Sequence, residues 1–233
     1  MIYESKLNNM LQASSLEFIS DLKQNNNREW FLNNKKRYDL FKNDYHHLIG
    51  LILNKLKQSD PSLSMVEIKN CAFRINRDIR FSKDKSPYKT HIAIGISADG
   101  KKNIKASYYV HIEQDACFVG GGIYCPMPDQ LLKIRKEIAF FYDDLIEIIE
   151  EKSFKSEFNS LSKEEGMFLK NPPKGYDAAH PAIEILKLKS FTAGTSFDFK
   201  DSLKKDFVDK IVSQLQILKP FNDFLNRAIE ENE

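Results

Sequence analysis

Residues 71–91 hold the densest reactive chemistry in this 233-residue chain: Arg74, Arg77, Arg80, Lys83, Lys85 and Lys89 stand among Asp78, Asp84, Phe73, Phe81 and Tyr88. Guanidinium offers a planar fork to phosphate or carboxylate, and ammonium offers a mobile point charge, so this spacing points to an anion ligand. Asp78 and Asp84 are the weak catalytic candidates here: they could serve as general bases, or hold Mg²⁺ brought by a phosphorylated substrate. The competing assignment is architectural, with the two aspartates pairing internally with Arg77 and Arg80 to latch a loop. Energetics separate the two, because removing one partner of a buried ionic network costs about 3 to 5 kcal/mol whereas losing an exposed ligand-binding arginine hardly affects folding.

Further along, His111, the Lys174-Gly175-Tyr176 turn and His180 before Pro181 could complete such a site, with His180 the third catalytic candidate. His91, His111 and His180 are the acid/base or metal histidines, but none has another at i+3 or i+4. His46 and His47 are neighbours on a helix and point different ways. No metal centre and no cofactor are therefore expected. The cysteines, Cys71, Cys117 and Cys125, show no C-x-x-C spacing, and no G-x-S-x-G elbow is present. Gly120, Gly121 and Gly122 suggest a phosphate-cradling loop but lack both nucleotide-binding spacings, which favours a turn or close backbone packing.

These residues need elements to hold them. Ser14 and Glu17 have capping-box spacing for a first helix to about Gln24. Asn26 and Glu29 could cap a second helix with Tyr38, Phe41, Tyr45, Leu48 and Ile52 on its apolar face, ended by Asp60-Pro61. Ile92, Ile94 and Ile96 alternate along one strand, and residues 108–113 alternate along another, with a third short strand over 116–120. Residues 72–81 also alternate, except that Arg77 falls on the apolar side; a bulge, or a carboxylate holding that guanidinium internally, would explain it. Leu131, Ile134, Ile138, Phe141, Leu145 and Ile148 predict one long helix. His180-Pro181 should open a short helix and 190–199 should form a last strand. A helix from Leu203 to Leu218 should break at Pro220, with another following. The pattern is that of a single α+β domain over residues 1–233, a mostly antiparallel sheet from the middle of the chain packed by N-terminal, central and C-terminal helices.

Composition sets outer bounds. A hydrophobic fraction of 42% and a charged fraction of 29% fit a folded globular chain, and no apolar run approaches the roughly 20 residues of a membrane span. Residues 1–9 show no basic-then-apolar leader, so a cytoplasmic location with no membrane partner is expected. The net charge is only +2, but residues 74–105 carry nine Lys/Arg against Asp78, Asp84 and Asp99, and residues 137–165 reverse the balance. One region should draw anions. Trp30, Phe31, Tyr88, Tyr108, Tyr109 and Tyr124 could stack bases beside those lysines, which keeps nucleic acid as a less favoured partner.

The run Asn76-Arg77-Asp78-Ile79-Arg80-Phe81-Ser82-Lys83-Asp84-Lys85-Ser86-Pro87-Tyr88-Lys89 resembles a bacterial and fungal family catalogued only as a domain of unknown function. Asn25 to Phe31, Gly120 to Tyr124, Pro173 to Tyr176 and His180-Pro181 extend the likeness over about residues 15–228. The resemblance implies a shared fold and brings no activity, cofactor or catalytic residue with it. The sequence thus points to a basic cleft for a small phosphate- or carboxylate-bearing ligand, with Arg74, Arg77, Arg80, Lys83, Lys85, Tyr88, Lys89, His111, Lys174 and Tyr176 as its binding residues and no reaction specified. A non-catalytic nucleic-acid or protein docking module and a purely structural latch are the alternatives.

Overall fold

Strict alternation of buried and part-exposed side chains marks one strand of the sheet, residues 107–112, while its neighbours, residues 92–96 and 118–123, are buried along most of their length. In the computed structural model, which describes residues 10–230 apart from Lys101 and Asn103, β1 (Ile92–Ile96), β2 (Ser107–Ile112), β3 (Phe118–Ile123) and β4 (Phe191–Ser196) form one antiparallel sheet in the order β1-β2-β3-β4. Among the described residues the helices are α1 (Ala13–Gln24), α2 (Arg28–Asn33), α3 (Lys35–Ser59), α4 (Ile68–Cys71), α5 (Pro128–Phe140), α6 (Tyr142–Glu150), α7 (Lys152–Phe158), α8 (Ile183–Leu186), α9 (Phe207–Ile217) and α10 (Lys219–Glu230). The class is α+β. None of these helices is long and apolar enough to cross a membrane. The leader reading on residues 1–9, and Lys101 in the basic count, lie outside the described residues.

The chain divides into two compact units. The first comprises the described residues up to Ile96 with Tyr109–Val119 and Ser196–Ser213. Here α1 packs on α3, burying Phe18, Ile19, Leu22, Leu48, Ile49 and Ile52. The buried Tyr45 of α3 donates its hydroxyl to the Ala93 carbonyl at 2.5 Å and accepts from the Phe73 amide at 2.9 Å. Burial pushes its pKa upward. That one side chain fixes β1 and the entry to the basic segment together.

The second unit comprises the described residues of Ser97–Tyr108, Gly120–Thr195 and 214–230. In it α10 packs on α5 and α6 around Ile134, Ile138, Leu145, Phe221 and Leu225. Arg135, almost fully buried, donates to the carbonyls of Leu186 (2.9 Å) and Leu188 (3.2 Å), which anchors α8.

Several local expectations are corrected. Ser14 caps nothing: α1 begins at Ala13, and Ser15 with the Gln12 amide turns to the Asp44 carboxylate instead. Asn27, not Asn26, caps α2, accepting from the Trp30 amide at 2.9 Å. The second helix is two, broken at Asn34, and the long central helix is two, broken at Phe141. The third strand starts at Phe118 and contains the three glycines rather than preceding them. Pro181 lies ahead of α8, whose N-cap is Ala182. Pro220 sits in the first turn of α10, where a missing N–H costs nothing, and the break precedes it. Residues 72–81 are not a ladder strand; they make only isolated bridges, Ala72 to Ile94 and Asn76 to Tyr88.

Candidate functional site

The basic segment closes on itself as a clasp. The Arg77 amide donates to the Pro87 carbonyl (2.9 Å) and the Lys89 amide to the Ile75 carbonyl (2.8 Å), leaving residues 78–86 as a loop. Its base is pinned from α2's approach. Asn26 donates to the Tyr88 carbonyl at 2.9 Å and accepts from the Tyr88 amide at 3.0 Å, while the Tyr88 ring stacks on Phe31 at 4.1 Å. Tyr88, 7% exposed, is therefore held by packing.

Within the loop the acids are occupied. Asp84 accepts from the Ser86 hydroxyl (2.6 Å) and amide (2.9 Å) and from Arg77, which together hold its carboxyl far below the usual range. Arg77 also donates to the Ser86 carbonyl at 3.2 Å. The anomalous arginine of the alternating pattern is thus paired with a carboxylate, though with an exposed one and not internally as its position suggested. Asp78 accepts from Arg80 Nε (2.9 Å) and Nη2 (2.7 Å), and that pairing lowers its pKa. Unlike a buried latch, this pair is open to solvent, the Arg80 side chain 76% exposed and Asp78 44%. Lys85 donates to the Ile79 carbonyl at 3.0 Å, and Lys83 is exposed.

Arg74 and Lys89 differ from the two paired arginines, Arg77 and Arg80. Neither forms an ion pair with any described residue. Lys89 is only partly exposed, its ammonium 5.2 Å from the Phe73 ring centroid. Burial, and then the nearby Arg74 guanidinium, push its pKa down.

Beside the clasp lies the outward face of β1 and β2. Tyr108, Val110 and Ile112 point into the core, so period two sends Tyr109, His111 and then Glu113 to the other side. His91, directly before β1, brings its ring to 4.5 Å from that of His111. His111 stacks on Phe118 at 5.2 Å, its Nε2 lies 3.2 Å from Glu113 Oε2, and its Nδ1 lies 3.4 Å from the Tyr109 hydroxyl. The Thr90 hydroxyl donates to Glu113 Oε1 at 3.3 Å. Donor atoms of His91, His111 and Glu113 all fall within 4.8 Å of one another, a grouping able to hold a metal ion.

Burial, then His111, Lys89 and Arg77, depress the His91 pKa to about 4 against the opposing pull of Glu113. At neutral pH this imidazole is uncharged, a proton acceptor or ligand. The unfolded chain, with an ordinary value of 6.5, takes up the proton first. Stability of the metal-free protein is therefore full above that value and falls as the pH drops toward 4. Urea titrations at about pH 7 and about pH 5 should show His91→Gln losing about 1 to 2 kcal/mol less than wild type, the full shift being weakened by solvent that reaches the ring. Equal losses in both proteins would remove His91 as the source.

Of the residues singled out in the sequence, the first unit gathers Arg74, Arg77, Lys89 and His111, while Lys174, Tyr176 and His180 belong to the second unit. There His180 Nδ1 accepts from the Ala182 amide at 3.1 Å, and its ring meets Tyr176 edge-on at 6.2 Å. Glu113 and Thr90 went unnoticed as site residues, and Tyr109 was read only as a base-stacking aromatic, although His111 and Glu113 two apart on an alternating strand was a usable signal.

Fold and site define an α+β protein with a basic clasp against a histidine-carboxylate cluster. The chain belongs to the family described as conserved hypothetical protein (DUF2461), whose model matches residues 14–224. No curated protein and no solved structure matches it.

Proposed function

We propose that the first unit binds a small phosphate- or carboxylate-bearing ligand between Arg74, Lys89 and the outward sheet face. One observation carries this reading: Lys89 is half-buried, faces a second cation and has no acid among the described residues to balance it. Desolvating an ammonium beside a guanidinium is unfavourable, and a bound anion reverses the sign of that interaction. Arg77 and Arg80 already hold Asp84 and Asp78, so their part is to shape the clasp. His91, uncharged at neutral pH, offers the ligand a proton acceptor.

The test is a thermal-shift series with inorganic phosphate, pyrophosphate and citrate. A ligand at a hundredfold excess over Kd adds about 2.7 kcal/mol, which for a chain of this length raises Tm by about 5 to 10 °C. Lys89→Met and Arg74→Ala should abolish the rise, and Arg80→Ala should keep it. A rise that survives Lys89→Met, or none with any of the anions, rejects the reading. A rise lost equally in Arg80→Ala would move the anion to the loop tip.

A further inference from the structure

We infer that His91, His111 and Glu113 form a binding site for a divalent first-row transition metal ion, with a coordination position left for water or a small ligand. Three observations converge on this. The donors are two imidazoles and one carboxylate, the set that zinc and non-haem iron centres use when three protein ligands leave a position open. They are already gathered, within 4.8 Å of one another, and the His111 Nε2 to Glu113 Oε2 separation is 3.2 Å. Bonds of about 2.0 to 2.2 Å in a tetrahedron require ligand atoms about 3.3 Å apart, so that pair stands at the bite distance and only His91 must swing inward.

The third observation is the outer layer. The Thr90 hydroxyl donates to the second carboxylate oxygen, Oε1, which leaves Oε2 for the ion. Tyr109 lies at Nδ1 of His111. Its hydroxyl can donate to that nitrogen when Nε2 carries the proton, and can accept from Nδ1–H once Nε2 binds metal. Outer partners that set tautomer and carboxylate orientation are what metal-binding histidines and acids require. Phe118, stacked on His111, and Phe73, in edge contact with Tyr109, wall the face with apolar surface. Two nitrogen donors of three disfavour Ca²⁺ and Mg²⁺, which take oxygen.

The ordinary alternative is a histidine-glutamate hydrogen bond within an aromatic stack, and metal titration separates the two. Full-length protein stripped with a chelator is titrated with Zn²⁺ against a chromophoric competitor and with Co²⁺ by visible absorption. One equivalent per chain is expected, with cobalt d–d bands and no thiolate charge-transfer band, the latter excluding Cys71, Cys117 and Cys125 as ligands. His91→Ala, His111→Ala and Glu113→Gln should each weaken Zn²⁺ by tenfold or more, since even an outer partner is worth about 10- to 100-fold. His46→Ala and His180→Ala should leave it unchanged. Circular dichroism checks each variant's fold, and Glu113→Gln, which keeps the side-chain shape, serves if the alanine variants unfold. Less than half an equivalent in wild type, or equal affinity in Glu113→Gln, overturns the site. No anion enters the assay, so it can fail while the anion site stands, or the reverse.

Discussion

Gly122→Ala is expected to abolish soluble folded protein, or at least to cost more than about 4 kcal/mol in a urea titration, the exceptional end of single substitutions. Gly122 has φ of +116°, a backbone conformation closed to side-chain-bearing residues at ordinary cost. An added Cβ would also lie 2.1 Å from the Phe191 carbonyl oxygen and 2.9 Å from Thr192 Cα. Both obstacles are backbone, so no rotamer change relieves them; the chain around β3 or β4 must move, and Phe191 is fully buried. Gly175→Ala is the control. Its φ is +91°, but nothing lies within 4 Å of the added methyl, so only the conformational cost of about 1 to 2 kcal/mol remains. If Gly122→Ala melted within a few degrees of wild type, close approach would not be why three glycines run together, and a backbone cradle for a ligand would regain its standing. Gly120 repeats only the steric half of the argument, its added Cβ falling 2.5 Å from the Ala193 carbonyl oxygen.

The glycines also show what a sequence conceals. Their spacing excludes the nucleotide-binding loops and points to close packing, but only strand pairing says that Gly120 and Gly122 meet the backbone of residues 191–194 and Gly121 the Ser107 carbonyl. Period two in residues 107–112 was legible because one face of that strand is buried and the other is not, whereas in residues 92–96 it came from isoleucines alternating with small residues, Ala93 being buried as well. Helix ends were less so. Three-four spacing continues in phase across Phe141, so nothing local marks a break that the backbone makes there. Ser15 and Asn26 illustrate a second obstacle: both are types that cap helices, and both spend their hydrogen bonds on partners 29 and 62 residues away. At the site, Arg77 disrupts an apolar pattern and is part-buried, but the carboxylate it pairs with is exposed. His91 and His111 are 20 apart in sequence and meet only through the β1–β2 pairing, which no helix-spacing rule detects. Lys174, Tyr176 and His180 are grouped with the basic segment by chemical type alone, and they belong to the second unit.

The second large effect is expected from Arg227→Ala in α10, a loss of about 3 kcal/mol and hence about 6 to 12 °C in Tm. Arg227 donates through Nε to Glu137 on α5 and through Nη2 to Asp144 on α6 at 3.1 Å. The two acids are not equivalent. Glu137 keeps 5% of its side-chain surface and Asp144 52%, so truncating the arginine strands one carboxylate in the interior and returns the other to water. The penalty comes from the stranded charge, since exposed pairs contribute little. Replacing both partners, the buried Glu137→Leu with the part-exposed Arg227→Met, should therefore come within about 1 kcal/mol of wild type, as apolar substitutes for ion pairs in the interior do elsewhere. A double-mutant cycle decides the matter. The guanidinium also lies 4.7 Å from the Phe141 ring centroid and 5.2 Å from that of Phe224. If the single and double variants lost the same amount, those rings, and not the charge on Glu137, would be what holds Arg227 against α5 and α6.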